Sequence, residues 1–113
     1  MVLTTTGKNA IRDEINSALT NGQMGTDSTA PVPSDTGLGT PVAATQLAVT
    51  TSTADKQITT TYNLNSTTGN GNTLVEYENQ IGTGNSNLSR TTFAAISKTS
   101  DIEINVVTTY FIK

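Results

Sequence analysis

Two acidic side chains, Glu76 and Glu78, have a spacing that would suit acid–base chemistry. In an extended strand, residues two apart share one face and lie about 7 Å apart at the backbone, a separation at which two carboxyl groups can flank a scissile bond. Such chemistry also needs a carboxyl group whose pKa is shifted by burial or by a neighbouring charge. We expect both residues on the polar face of a half-buried strand, as solvated charges. The sequence therefore predicts no catalytic pair.

Other catalytic and metal-binding chemistry is limited by composition. The 113 residues include no His and no Cys, so there is no imidazole base, no thiol nucleophile and no disulfide. The same absence removes the usual nitrogen and sulfur ligands for zinc and copper. Asp27 and Asp35 could offer oxygen atoms to calcium, but they lack the spacing of a dedicated calcium loop, and Asx turns explain them better. We predict no enzyme activity, no metal and no cofactor.

The segment Gly69-Asn70-Gly71 is the nearest approach to a phosphate-binding loop. That fingerprint needs a third glycine and a helix that begins directly after it, whereas a β-rich run follows here. We interpret the segment as a hairpin turn between two strands.

Composition favours assembly over independent stability. Hydrophobic residues make up 34% of the chain and aromatic residues 4%, which predicts a thin core; small domains of this kind often gain stability by oligomerisation. The formal net charge is −3, and the six Lys and Arg residues are scattered, so we expect no nucleic-acid partner. No apolar run approaches the roughly 20 residues that span a bilayer, and we expect no secretory signal and no membrane partner.

One helix is predicted from about residue 7 to residue 20. An apolar residue recurs at every fourth position, which gives a stripe that we expect in the core: Ile11, Ile15 and Leu19. Thr6 is the predicted N-cap, and Asn21-Gly22 the predicted stop.

Residues 23–41 carry glycines and prolines that interrupt regular structure, and they predict a long extended loop. We interpret this loop as an arm that a neighbouring subunit holds in place, with Val32 and Leu38 inserted into that partner. The alternative is that the loop folds back over the domain's own helix and covers Ile11 and Ile15.

Strands are predicted at residues 44–51, 57–64 and 73–80, and in a final run from Ile102 to the end of the chain. Alternation places one set of side chains in the core: Ile58, Tyr62, Ile102, Ile104 and Val106. Val107 and Phe111 are apolar residues on the opposite, polar face of the last strand. We expect these two to pack on the helix or on another subunit.

These elements predict a mainly β protein, an antiparallel β-sandwich or small barrel with one N-terminal α-helix and a long extended loop. We assign one domain, residues 1–113, with the sandwich over residues 42–113.

The order of short motifs resembles small structural proteins of tailed bacteriophages and related archaeal viruses, especially tail-fibre and tail-adaptor modules. In those proteins a short helix is followed by a loop of short motifs, which are matched here by Gly25-Thr26, Thr29-Ala30-Pro31, Ser34-Asp35-Thr36 and Leu38-Gly39. The later motifs follow in the same order and are matched by Glu76-Tyr77, Leu88, Arg90, Phe93 and Lys98-Thr99. After Glu76-Tyr77 the chain departs from the pattern, since Glu78-Asn79-Gln80 stands where Gly and apolar residues are usual. This difference suggests an edge position for that strand.

The resemblance implies a location in the virion and a structural function. We expect the chain to assemble with itself and with other virion proteins, and favour a tail adaptor or fibre-attachment protein over a capsid decoration protein. A carbohydrate- or receptor-binding β-sandwich is a further alternative, and its exposed aromatic and Asn side chains would form the site.

Overall fold

The computed structural model describes all residues from Met1 to Lys113 and has two antiparallel sheets that face each other, as predicted. Helix α1 (Thr5–Ala18) is followed by seven strands: β1 (Leu19–Gly25), β2 (Leu47–Ala48), β3 (Thr50–Ala54), β4 (Gln57–Leu64), β5 (Thr73–Ile81), β6 (Ser86–Ser97) and β7 (Ile104–Phe111). A short 3-10 turn at Ala43–Thr45 precedes β2. The first sheet has the order β2-β1-β5-β6, and the second has the order β3-β4-β7. The molecule measures 51 × 26 × 26 Å.

Helix α1 begins and ends earlier than predicted. Thr4, not Thr6, is the N-cap, because its hydroxyl accepts a hydrogen bond of 3.1 Å from the Gly7 N–H. The backbone becomes extended at Leu19, and the Ala18 carbonyl accepts a hydrogen bond from the Gly82 N–H. A strand thus follows the helix directly, without the predicted stop at Asn21-Gly22.

The helix docks through polar side chains, so the predicted apolar face was wrong. Arg12 donates to the Ala54 carbonyl at 2.6 Å, and Asn9 accepts a hydrogen bond of 2.8 Å from the Lys56 N–H. These contacts satisfy backbone groups of the β3–β4 turn. Ile11 consequently lies on the outer side and is 41% exposed, whereas Ile15 is only half-buried.

Strand β1 includes the residues predicted to end the helix and the first three residues of the predicted loop. It pairs with β2 and β5, and its second half, from Gly22 to Gly25, is buried. A Cβ atom at Gly22 would lie 2.6 Å from the Tyr62 ring and would also clash with the Tyr77 hydroxyl. Gly22, which was predicted to end the helix, is therefore needed in the strand because two aromatic rings pack where a side chain would lie.

The predicted hairpin at Gly69-Asn70-Gly71 is wrong. Both glycines have positive φ, as turn residues should, but β4 and β5 belong to different sheets. The connection between Leu64 and Thr73 is longer than the two to five residues typical of hairpins. It crosses from one sheet to the other and is held by hydrogen bonds of 2.9 Å to the backbone of Lys98.

The core forms where the sheets face each other. Its central cluster is Met24, Tyr62, Leu64, Leu74, Tyr77 and Ile104. Among the residues predicted to lie in the core, Ile58, Tyr62 and Ile104 are buried. Ile102 and Val106 pack against the cluster while partly exposed, and Leu19 is half-buried. The core is small, because 18 of 113 residues are buried and as many of their side chains are polar or charged as are hydrophobic.

Strand β7 alternates as predicted, and this provides a test of its orientation. Ile104 is 8% exposed, whereas the side chain of the adjacent Asn105 faces solvent. We expect Ile104→Ala to lower the free energy of unfolding by about 1–4 kcal/mol, through lost burial and the cavity left behind. Asn105→Ala should change it far less. Chemical denaturation of both variants measures this, and equal losses would contradict the orientation.

Candidate assembly surfaces

A buried carboxylate on β5 organises the loop that follows β1. Glu76 is fully buried and lies on the face of β5 opposite Tyr77. Its oxygens accept three backbone hydrogen bonds from the loop: from Asp27 at 3.0 Å, from Gly39 at 2.9 Å and from Thr40 at 3.0 Å. One side chain therefore joins both ends of the loop to the sheet.

Arg90 on β6 completes this cluster. Its Nε donates to Glu76 at 2.9 Å, and its Nη1 donates to Asp35 at 3.2 Å. Its Nη2 donates to the Asp27 carbonyl at 3.3 Å, and the side chain is only 4% exposed. The buried ion pair thus fixes the middle of the loop as well as its ends. We call Glu76, Arg90, Asp35 and Asp27 the loop clamp.

The electrostatics of the loop clamp favour its charged form. Burial alone would raise the pKa of Glu76, but the three backbone N–H donors and Arg90 outweigh it and hold that pKa below the usual carboxyl value. Hydrogen bonds from the Thr29 backbone and hydroxyl lower the pKa of Asp27. The hydrogen bond to Glu76 raises the pKa of Arg90, so both members of the ion pair remain charged at neutral pH.

The loop clamp corrects two expectations about the loop. The loop does not depend on a neighbouring subunit for its hydrogen bonds, and it lies on the β5–β6 side of the first sheet and not over the helix. Insertion of Val32 and Leu38 into a partner stays a prediction. Asp27 accepts a hydrogen bond from the Thr29 N–H two residues later, as in the predicted Asx turn. Asp35 instead accepts one from the Val32 N–H three residues earlier.

Glu76 and Glu78 are not the solvated pair that the sequence predicted, because both are buried. Glu78 accepts hydrogen bonds from the Gln80 amide at 2.7 Å and from the Asn87 amide at 2.5 Å. Strand β5 is central, with β1 on one side and β6 on the other, so the predicted edge position is also wrong. Both carboxylates are engaged in structural hydrogen bonds that hold the loop and the strand pair together.

Two clefts follow one another along β6. The first, of about 360 Å³, lies between Val32 of the loop and residues 87–90. The second, of about 380 Å³, lies between β6 and β7 and has mainly apolar walls: Met24, Phe93, Ile96, Ile104, Val106 and Val107. Among the predicted contact residues, Val32 and Val107 therefore border clefts along the same strand, whereas Leu38 and Phe111 line neither.

Strand β7 forms an open edge beside the second cleft. It pairs with β4 on one side and has no strand on the other. Val107 is 63% exposed and Phe111 is 62% exposed, so they do not pack on the helix. Val32, in the loop, is 51% exposed, and Leu38 is half-buried. The apolar residues predicted to contact a partner thus remain accessible, most of all on β7.

Further exposed apolar residues lie on and before α1, namely Met1, Val2, Leu3 and Ile11.

No group of three or more acidic side chains comes together in a way that could hold a metal ion. Helix α1 is too short and too polar to span a bilayer. Comparison with protein-family models, with curated proteins and with solved structures gave no match.

Arg90 is the member of the loop clamp whose role could not be predicted from the sequence. It appeared only within the Leu88-x-Arg90 motif, and its burial depends on a loop some fifty residues earlier in the chain. The sequence does contain one indication of this role, because Arg90 is the only charged residue in a run that also contains Leu88 and Phe93. If that run is a partly buried strand, the charge of Arg90 requires an acidic partner.

The loop clamp predicts loss of stability in acid. The pKa of Glu76 is lower in the folded chain than its ordinary value of 4.5, so its contribution is fully present above about pH 4.5 and is lost as pH falls through the folded pKa. We expect the free energy of unfolding to decrease across that range. Denaturation at several pH values measures this, with Glu76→Gln as the control. A variant that kept the full acid dependence of the wild type would contradict the assignment to Glu76.

Proposed function

We propose that this chain is a non-enzymatic structural protein of a virus particle, which assembles with copies of itself and with tail or capsid proteins. The observation that carries the assembly part is the open β7 edge, where Val107 and Phe111 are exposed on a strand with one unpaired side. Large exposed apolar side chains on an unpaired edge strand promote association with other chains, so they are more typical of an interface than of an isolated protein.

The small core supports the same proposal. Buried hydrophobic side chains are few for 113 residues, and much of the interior is a polar network whose members satisfy one another. Such an interior specifies a shape but adds little net stability. Burial of the exposed apolar residues against a partner would contribute the missing hydrophobic stabilisation.

The position in the virion rests on the resemblance in motif order. The loop pattern and Glu76-Tyr77 resemble tail-fibre and tail-adaptor modules, so a tail adaptor or fibre-attachment protein is favoured. The loop clamp supports the assembly part of the proposal, because it holds the loop in a defined shape that a neighbouring subunit can recognise. A capsid decoration protein is the alternative.

Separated particle fractions test the proposal. Purified particles of the encoding virus are divided into heads and tails, and the chain is quantified in each by mass spectrometry. We expect a fixed number of copies per particle in the tail fraction. Recovery in heads would support the decoration alternative and contradict the tail position, whereas absence from particles would contradict the proposed function itself.

A further inference from the structure

The four edge strands differ in how well they are protected against pairing. Strand β2 has only two residues, and β3 has five, with Arg12 of the helix bonded to its last carbonyl. Strand β6 shifts register twice in its pairing with β5, and the loop is hydrogen-bonded to its Arg90. Short length, irregular register and cover by a helix or loop are the usual devices that prevent edge-to-edge association.

Strand β7 has none of these devices. Its eight residues contain no charged residue and no proline, and all eight pair with β4 in unbroken register. Its outward face carries Val107, Thr109 and Phe111. A regular, uncharged edge of this length is a surface on which another strand can add by main-chain hydrogen bonds.

We propose that β7 pairs antiparallel with β7 of a second copy, in a two-fold dimer with Thr109 on the axis. This inference rests on the self-association in the proposed function and specifies its interface. The two three-stranded sheets would join into one six-stranded sheet. A second copy is the fitting occupant, because an uncharged strand sets no like charges opposite each other when it pairs with itself.

The exposed apolar residues select the register. Directly opposite residues in an antiparallel pair lie on the same face, so an axis at Thr109 places Val107 of each copy opposite Phe111 of the other. On the inner face it places Val106 opposite Ile112. An axis at Val107 would instead place Phe111 opposite the charged Glu103, and an axis at Thr108 would place it opposite Asn105.

Charge complementarity supports the same register. Glu103 and Lys113 flank β7, and neither takes part in a salt bridge within the chain. With Thr109 on the axis, Glu103 of one copy becomes a diagonal neighbour of Lys113 of the other, and the contact occurs twice. Diagonal neighbours in a sheet lie about 7–8 Å apart, within reach of these long side chains.

The absence of cysteine from the chain makes cross-linking a direct test. Single substitutions Thr109→Cys, Val107→Cys and Asn105→Cys are introduced in the full-length protein, and each is oxidised mildly at a concentration where wild type self-associates. A residue on the two-fold axis lies opposite its own copy, at a Cβ separation of about 4.5–5.5 Å, close to what a disulfide requires. We expect Thr109→Cys alone to give mainly covalent dimer.

A charge exchange provides the second test, on surface positions whose substitution should not prevent folding. Val107→Glu and Phe111→Lys should each raise the dimer dissociation constant by at least about tenfold. The double variant should recover most of this loss, because each Glu would face a Lys of the second copy. Circular dichroism checks that every variant is folded.

The outcomes separate the interface from the proposed function. If wild type self-associates but Thr109→Cys does not cross-link, or if Val107→Cys cross-links better, the β7 interface in this register is wrong while self-assembly stands. Failure of the double variant to recover association would also overturn the register. If wild type is monomeric at every concentration and absent from particles, the proposed function itself fails.

Discussion

Replacement of Glu76 by alanine is expected to lower the free energy of unfolding by about 3–5 kcal/mol, the loss typical when one partner of a buried ion pair is removed. Arg90 would remain charged at 4% exposure without its closest acceptor. Three loop N–H groups, those of Asp27, Gly39 and Thr40, would also lose their acceptor. Chemical denaturation measures the loss.

A matched surface pair provides the control for this prediction. Asp13 forms a salt bridge of 2.7 Å with Arg12, but its side chain is 62% exposed. Asp13→Ala should therefore cost less than about 1 kcal/mol, because exposed ion pairs contribute little. Hydrogen exchange of amides 26–40 should accelerate in Glu76→Ala and not in the control. Unchanged exchange in the Glu76 variant would mean that the loop is held by other contacts.

The second large effect is expected at Tyr62, where replacement by alanine should lower the free energy of unfolding by about 3–5 kcal/mol. Its ring is fully buried and packs edge-on against Tyr77, with ring centroids 5.0 Å apart. Its hydroxyl donates a hydrogen bond of 2.6 Å to the Thr45 carbonyl, which joins the second sheet to the turn before β2. Loss of the ring opens a cavity between the sheets.

Two milder variants separate the contributions of ring and hydroxyl. Tyr62→Phe keeps the ring and leaves the Thr45 carbonyl without this donor, at a cost of about 1–3 kcal/mol. Phe111→Ala removes a ring of similar size that is 62% exposed and should have little effect on the unfolding of the monomer. Equal losses for Tyr62→Ala and Tyr62→Phe would show that the ring does not contribute to the core as described.

The positions of β4, β5 and β7 could be predicted, but the burial of their side chains only in β4 and β7, because both faces of β5 are buried. In β4 and β7 burial alternates with period two, so apolar residues such as Ile58 and Ile104 mark the inner face directly. Strand β6 was missed, because its register shifts disrupt the alternation of Leu88, Phe93 and Ile96. Strand β1 was missed because Gly22 and Gly25 give it little strand propensity of its own.

The remaining errors arise from contacts between distant parts of the chain. The apolar stripe of α1 predicted which face is buried, but the backbone of the β3–β4 turn bonds to Asn9 and Arg12 instead. The burial of Glu76 depends on Arg90 and on loop amides up to 49 residues away. Periodicity describes a single element, so it cannot identify partners that only the tertiary structure brings together.

The mass of the wild-type protein in solution, measured by sedimentation equilibrium over a wide concentration range, tests the claim of self-assembly most directly. The chain has a mass of 11.8 kDa. We expect reversible conversion to a dimer or larger assembly as concentration rises, with an unfolding midpoint that rises in parallel, since association stabilises only the folded state. A mass of one chain at every concentration, with an unfolding midpoint that does not change, would contradict self-assembly.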